Sequence, residues 1–134
     1  MYDYLIQDWT TISVNATQGS LTQAESEWIS FQPFSDIVFW LEVRGVVVPT
    51  GATSVQMQYQ TAPARDESLF LDMVTPFDLT VSSTPRVDPV LLTAGPAVPL
   101  ARWVRWKLSV AGVPEADWGA TFRLHAVANA VGPL

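Results

Sequence analysis

The chain has 134 residues, 7 Lys plus Arg against 13 Asp plus Glu, a formal net charge of -6 and no Cys; 49% of it is hydrophobic and 15% charged. This length fits one domain, read here as residues 1–134, and the missing basic surplus argues against the phosphate-neutralising surface of a nucleic-acid binder. Without Cys there is no disulfide, thiolate nucleophile or zinc–thiolate site, so the fold has to rest on packing alone.

No apolar run reaches the roughly 18 to 20 residues of a membrane span, and the opening Met1-Tyr2-Asp3-Tyr4 lacks the basic start of a secretion signal. Neither membrane contact nor secretion is expected. Valine, isoleucine and threonine number 17, 4 and 12, while 10 Pro and 7 Gly fall between the apolar runs. That composition predicts many short strands separated by turns.

In chain order, residues 1–19 are expected to form an arm or an edge strand, with a strand candidate at 10–15. Residues 20–28 fit either a single helical turn or an irregular arm, because Ser20 with Gln23 and Thr22 with Glu25 have capping-box spacing. A weak strand candidate at 28–31 precedes a clear one at 37–44, where Ile37, Phe39, Leu41 and Val43 face one way and Trp40, Glu42 and Arg44 the other. At 54–61, Val55, Met57 and Tyr59 alternate with Ser54, Gln56, Gln58 and Gln60. Weaker candidates follow at 78–82 and 87–93. In 102–110, Val104, Trp106, Leu108 and Val110 oppose Trp103, Arg105, Lys107 and Ser109, and in 121–126, Phe122, Leu124 and Ala126 oppose Arg123 and His125. The last two runs read as hairpin neighbours joined by an exposed tip at 111–119. Together these give a single-domain antiparallel β-sandwich of about eight strands, all-β and of jelly-roll type.

Chemistry-bearing motifs are sparse. His125 is the sole histidine and has no Ser or Cys partner in a recognisable motif. The acidic residues show no spacing that identifies a glycosidase pair. Asp66, Glu67 and Asp72 could donate oxygens to calcium, yet their spacing matches no calcium loop. Phosphate-loop, dinucleotide, zincin and nucleophile-elbow patterns are absent. No enzyme activity, cofactor or metal is expected.

Six Trp in a chain with one Lys and six Arg point instead to contact surfaces. Trp106 and Trp28 read as core. Trp40 and Trp103 lie opposite their strand cores and Trp118 falls in the expected tip, so either the chain's own N-terminal arm covers these side chains or Trp40, Trp103 and Trp118, with Arg105, are the candidate interface residues. An alternative reading makes the chain a carbohydrate-binding module, with Trp103 or Trp118 stacking on a sugar and Asn129, Gln58 or Asp117 orienting its hydroxyls.

Three stretches resemble small β-sandwich virion proteins of tailed bacteriophages. The run from Val55 to Thr61, continuing through Ala62-Pro63-Ala64-Arg65 to Phe70, is similar to that family's strand ending in a "QTSP" type turn, although the family turn is richer in glycine. Pro99 to Leu108 resembles its "LxRxVRW" strand, and Ala120-Thr121-Phe122 its closing "ATF" strand. The likeness extends from Asp36 onward. It implies a non-enzymatic virion component, a capsid decoration or minor surface protein assembled in the host cytoplasm. Such a protein would bind the major capsid protein or another virion protein and form a small homo-oligomer such as a trimer.

Overall fold

A computed structural model describes residues 2–92 and 98–129. The described strands are β1 (Tyr2–Val14), β2 (Ser20–Thr22), β3 (Ile29–Ser30), β4 (Asp36–Val47), β5 (Ala52–Ala62), β6 (Leu71–Asp72), β7 (Phe77–Asp78), β8 (Arg86–Val90), β9 (Trp103–Gly112) and β10 (Trp118–Asn129). Single 3-10 turns occupy Glu25–Glu27 and Glu67–Leu69.

These strands form two antiparallel sheets. Sheet A has the order β1-β10-β4-β8; sheet B has the order β2-β9-β5-β6, with β3 also on β9 and β7 also on β5. Because β2 and β3 share the edge of β9, and β6 and β7 the edge of β5, each couple acts as one interrupted strand, leaving eight strand positions. The first position pairs with the eighth, the second with the seventh, the third with the sixth and the fourth with the fifth. That is one long antiparallel ribbon wrapped around a core, the jelly-roll arrangement the sequence predicts.

Period-two patterning supplies the core. From sheet A, Ile37, Phe39 and Leu41 of β4 and Phe122, Leu124 and Ala126 of β10 point inward; from sheet B, Val55, Met57 and Tyr59 of β5 and Val104, Trp106 and Leu108 of β9 meet them. Aromatic pairs join the two layers. Phe39 stacks on Tyr59 with ring centroids 4.0 Å apart, and Trp106 meets Phe122 edge to face at 5.1 Å. Trp106 Nε1 donates to Gln7 Oε1 at 3.0 Å, so the buried indole has a partner for its one polar atom.

Several expectations are corrected here. β9 and β10 are not a hairpin: β9 lies in sheet B and β10 in sheet A. Their apolar faces do meet, but across the core, and alternation alone cannot distinguish a facing strand from a neighbouring one. Residues 113–117 therefore cross between sheets, held by Val113 N–H to Gly51 O and Glu115 N–H to Thr50 O, each 2.9 Å. Gly51 and Gly112 both have φ of +90°. A side chain on either would run into the backbone of the other turn, so both positions require glycine.

Trp118, expected on an exposed tip, instead opens β10 and is fully buried. Its Nε1 donates to Gln18 O at 2.9 Å. At the other end of the chain, the candidate at 10–15 extends back to Tyr2 as the edge strand of sheet A. Residues 20–28 hold β2 and a 3-10 turn with no side-chain cap. The candidate at 78–82 begins within β7, but its later residues form a loop; of 87–93, residue 93 lies outside the described set.

The Tyr59 hydroxyl is buried without a hydrogen-bond partner, and burial pushes its pKa well up. Tyr59→Phe removes that unpaired group while keeping the stacked ring, and is expected to stabilise the fold by about 1 kcal/mol. Trp118→Ala is expected to cost about 3–5 kcal/mol. Urea unfolding midpoints measure both, and a Tyr59→Phe midpoint below the parent's contradicts the first expectation.

Candidate functional site

The outer faces of the two sheets differ in how they are covered. On sheet B, Trp103 and Arg105 of β9 point away from the core as alternation requires. This face is roofed by residues 63–70, which run from β5 toward β6, and by Trp28 just before β3. Trp28 and Phe70 meet edge to face at 4.7 Å and, with Ala62, form a second apolar cluster against which Trp103 packs. Trp28 is thus buried, but outside the main core.

The Arg105 guanidinium fills the space under that roof, 4.0 Å from the Phe70 ring centre and 5.1 Å from that of Trp28. Only 4% of the residue is exposed. Its Nε donates to Gln60 Oε1 at 2.9 Å, and Gln60 Nε2 in turn donates to Asp72 of β6 at 2.8 Å. Nη1 lies 3.6 Å from Glu67 and has no hydrogen bond. Burial lowers the pKa of this guanidinium, with the Glu67 carboxylate opposing the shift, and an arginine so displaced stays charged at neutral pH. Arg105 therefore ties its own sheet together; its side chain is not on offer to a partner. Trp103 is half-buried, with Arg65 and Arg102 each 5.5 Å from its ring.

The outer face of sheet A carries no such roof among the described residues. Leu5 of β1 pairs with His125 of β10, His125 with Trp40 of β4, and Trp40 with Val87 of β8. These four side chains make one lateral row across the sheet. Leu5, Trp40 and Val87 are 47%, 42% and 43% exposed. In the next row Val127, Val38 and Pro89 extend the apolar surface, with Asp3 at its β1 end. On the other side, Arg123 Nε donates to Glu42 Oε2 at 2.6 Å, and His125 Nε2 lies 3.9 Å from the same oxygen. The hydrogen bond from Arg123 is the main cause holding the Glu42 carboxyl below its ordinary pKa.

Trp40 and Trp103 thus lie on opposite outer faces and cannot belong to one patch, while Trp118 is enclosed. The residues proposed to orient a sugar are also dispersed. Gln58 is hydrogen-bonded to Asp72 on sheet B, and Asp117 and Asn129 fall at opposite ends of β10. Asp66 accepts from the Ser68 amide and hydroxyl, Glu67 faces Arg105 and Asp72 serves the two glutamines. Among the described residues, no group of three or more His, Asp or Glu could hold a metal ion. Leu5 and Val87 were not marked by sequence, because two register shifts in β1 break its alternation and β8 is only five residues long.

The chain matches no protein-family model, and no curated protein sequence matches it. Among solved structures, a chain from the structure of infectious bursal disease virus, Gx strain, superposes with a TM-score of 0.54 at 12% identity. The match covers 99% of this chain and 33% of that one, so the present chain spans about a third of its neighbour's length. At that identity the likeness establishes the shared fold. The neighbour comes from a virus, and nothing in the match is specific to tailed bacteriophages.

Two substitutions separate the faces. Arg105→Ala is expected to cost about 2 kcal/mol, since it empties the space between Trp28 and Phe70 and leaves Gln60 Oε1 unpaired; an unchanged urea midpoint contradicts this. Because the folded-state pKa of Glu42 is depressed, its contribution to stability is full above its unfolded pKa and is lost as pH falls through the folded value. Glu42→Gln should therefore lower stability at neutral pH and shrink the loss on acidification. Parallel pH profiles for the parent and Glu42→Gln argue against that role.

Proposed function

We propose that this chain is a non-enzymatic virion structural protein that binds coat subunits and its own copies by burying the outer face of sheet A. The observation that carries the reading is the lateral row of Leu5, His125, Trp40 and Val87, an apolar strip left open on a jelly roll. Contiguous exposed apolar patches on small domains mark contact surfaces, and the fold shared with a viral chain supports a place in the particle. A decoration or minor surface component forming a closed homo-oligomer, such as a trimer, fits a domain of this size. An interface of about 800 Å2 per partner is enough for stable association.

Trp40 is the centre of the proposed contact because it has neighbours in the row on both sides and a rigid, largely apolar ring. Trp103, on the roofed face, contributes to stability and not to assembly. The test is mass in solution by size-exclusion chromatography with light scattering across a dilution series. A closed oligomer whose dissociation constant rises about 30-fold in Trp40→Ala, corresponding to about 2 kcal/mol, is the expected result. Thermal stability of the dissociated subunit should be unaltered. A monomer at every concentration that also fails to bind purified virion shells, or assembly indifferent to Trp40→Ala, overturns the reading.

A further inference from the structure

Beyond the row centred on Trp40, sheet A carries a groove of different chemistry. β8 pairs with β4 only from Ile37 to Leu41, so the remainder of β4 has no strand on that side. Residues 79–85 arch past it instead, attached by Ser82 N–H to Val43 O at 3.4 Å. The gap between this arch and β1 is a cavity of about 480 Å3 bounded by Trp9, Glu42, Arg44, Ser82, Ser83 and Thr84. Its volume lies in the range of small-ligand sites.

The lining combines an apolar plane, a cation and a bank of hydroxyls. Trp9 reaches across the sheet from β1, with the Arg44 guanidinium 4.3 Å and that of Arg123 5.0 Å from its ring centre. Arg123 is engaged by Glu42. Arg44 is exposed and, like Arg102, makes no ion pair among the described residues, whereas Arg65, Arg86, Arg105 and Arg123 all do. Opposite, Ser82 and Thr84 share a hydroxyl hydrogen bond at 3.0 Å that shapes the arch and leaves each oxygen further bonding capacity.

We infer that this groove binds a sugar bearing a single carboxylate. Arg44 pairs with the carboxylate in the two-pronged geometry a guanidinium favours, the indole of Trp9, whose ring carries the Arg44 guanidinium, packs its remaining surface against the C–H face of the sugar, and Ser82, Ser83, Thr84 and Glu42 exchange hydrogen bonds with its hydroxyls. A polyanionic glycan is the poorer fit, because the protein's net charge of -6 repels a multiply charged chain, while one carboxylate meets one unpaired guanidinium. The groove adjoins the Trp40 row on the same outer face, His125 of that row lying 3.9 Å from Glu42, but the two readings are tested apart, this one by sugar binding and the other by mass in solution.

Saturation-transfer NMR on the full chain tests it, with sialyllactose and glucuronic acid as carboxylated probes and lactose as the neutral one. At least one carboxylated sugar should show saturable transfer, with lactose about tenfold weaker. Arg44→Gln should reduce the carboxylated sugar to the lactose level, and Arg44→Lys should restore part of the difference. Trp9→Ala should abolish transfer to all three; where that variant loses its strand circular dichroism, Trp9→Phe replaces it and should retain weakened transfer. No transfer from either carboxylated probe, equal transfer from lactose, or an Arg44→Gln response identical to the parent's overturns the inference.

Discussion

Ring contacts across the core, Phe39 on Tyr59 and Trp106 on Phe122, hold this molecule together. With no Cys in the chain, no disulfide joins the layers, and each sheet alone would leave an entire apolar face in water. The inward residues of β4 and β10 therefore need those of β5 and β9 as much as they need their own neighbours. The indoles reinforce this dependence. Trp106 and Trp118 each send their single N–H to a backbone or side-chain oxygen of the N-terminal quarter of the chain, tying that segment to the last two strands.

Outside the core the two sheets follow different rules. Sheet B carries glutamines, Asp72 and a buried guanidinium under a roof of its own chain, a polar layer whose members satisfy one another with few exceptions. Such a layer specifies how residues 63–70 lie, because moving the roof strands a charge. Sheet A presents hydrophobic rows at one end and a mixed groove at the other. Function is accordingly sought on sheet A.

Legibility in the sequence followed the same division. Strands with one wet and one dry face, β4, β5, β9 and β10, were plain from alternation, and so was the sandwich. The pairing of β9 with β10 was misread because two strands facing across a core have the same pattern as two side by side. Trp118 was legible in principle: the inward register of Leu124, Phe122 and Ala120 extends back to it, but Gly119 and the preceding Pro114 made the segment look like a loop. Arg105 was rightly assigned to the outer side of its strand. What covers that side depends on residues about forty positions earlier, which no local pattern encodes. Trp9 and Arg44 were missed as a pair for a related reason, since a register shift in β1 decides where the indole falls.

The position of β10 has a consequence for how the protein comes into being. It is near the end of the sequence yet lies inside sheet A, flanked by β1 and β4. During synthesis, the first strand must wait without its hydrogen-bonding partner until residues 118–129 emerge, and the core faces of β4 and β5 wait with it. A ribbon wrapped in this way closes late, through contacts distant in sequence. The nascent chain thus exposes the apolar faces of β4 and β5 from their own emergence until β9 and β10 follow, an interval in which they are open to wrong contacts.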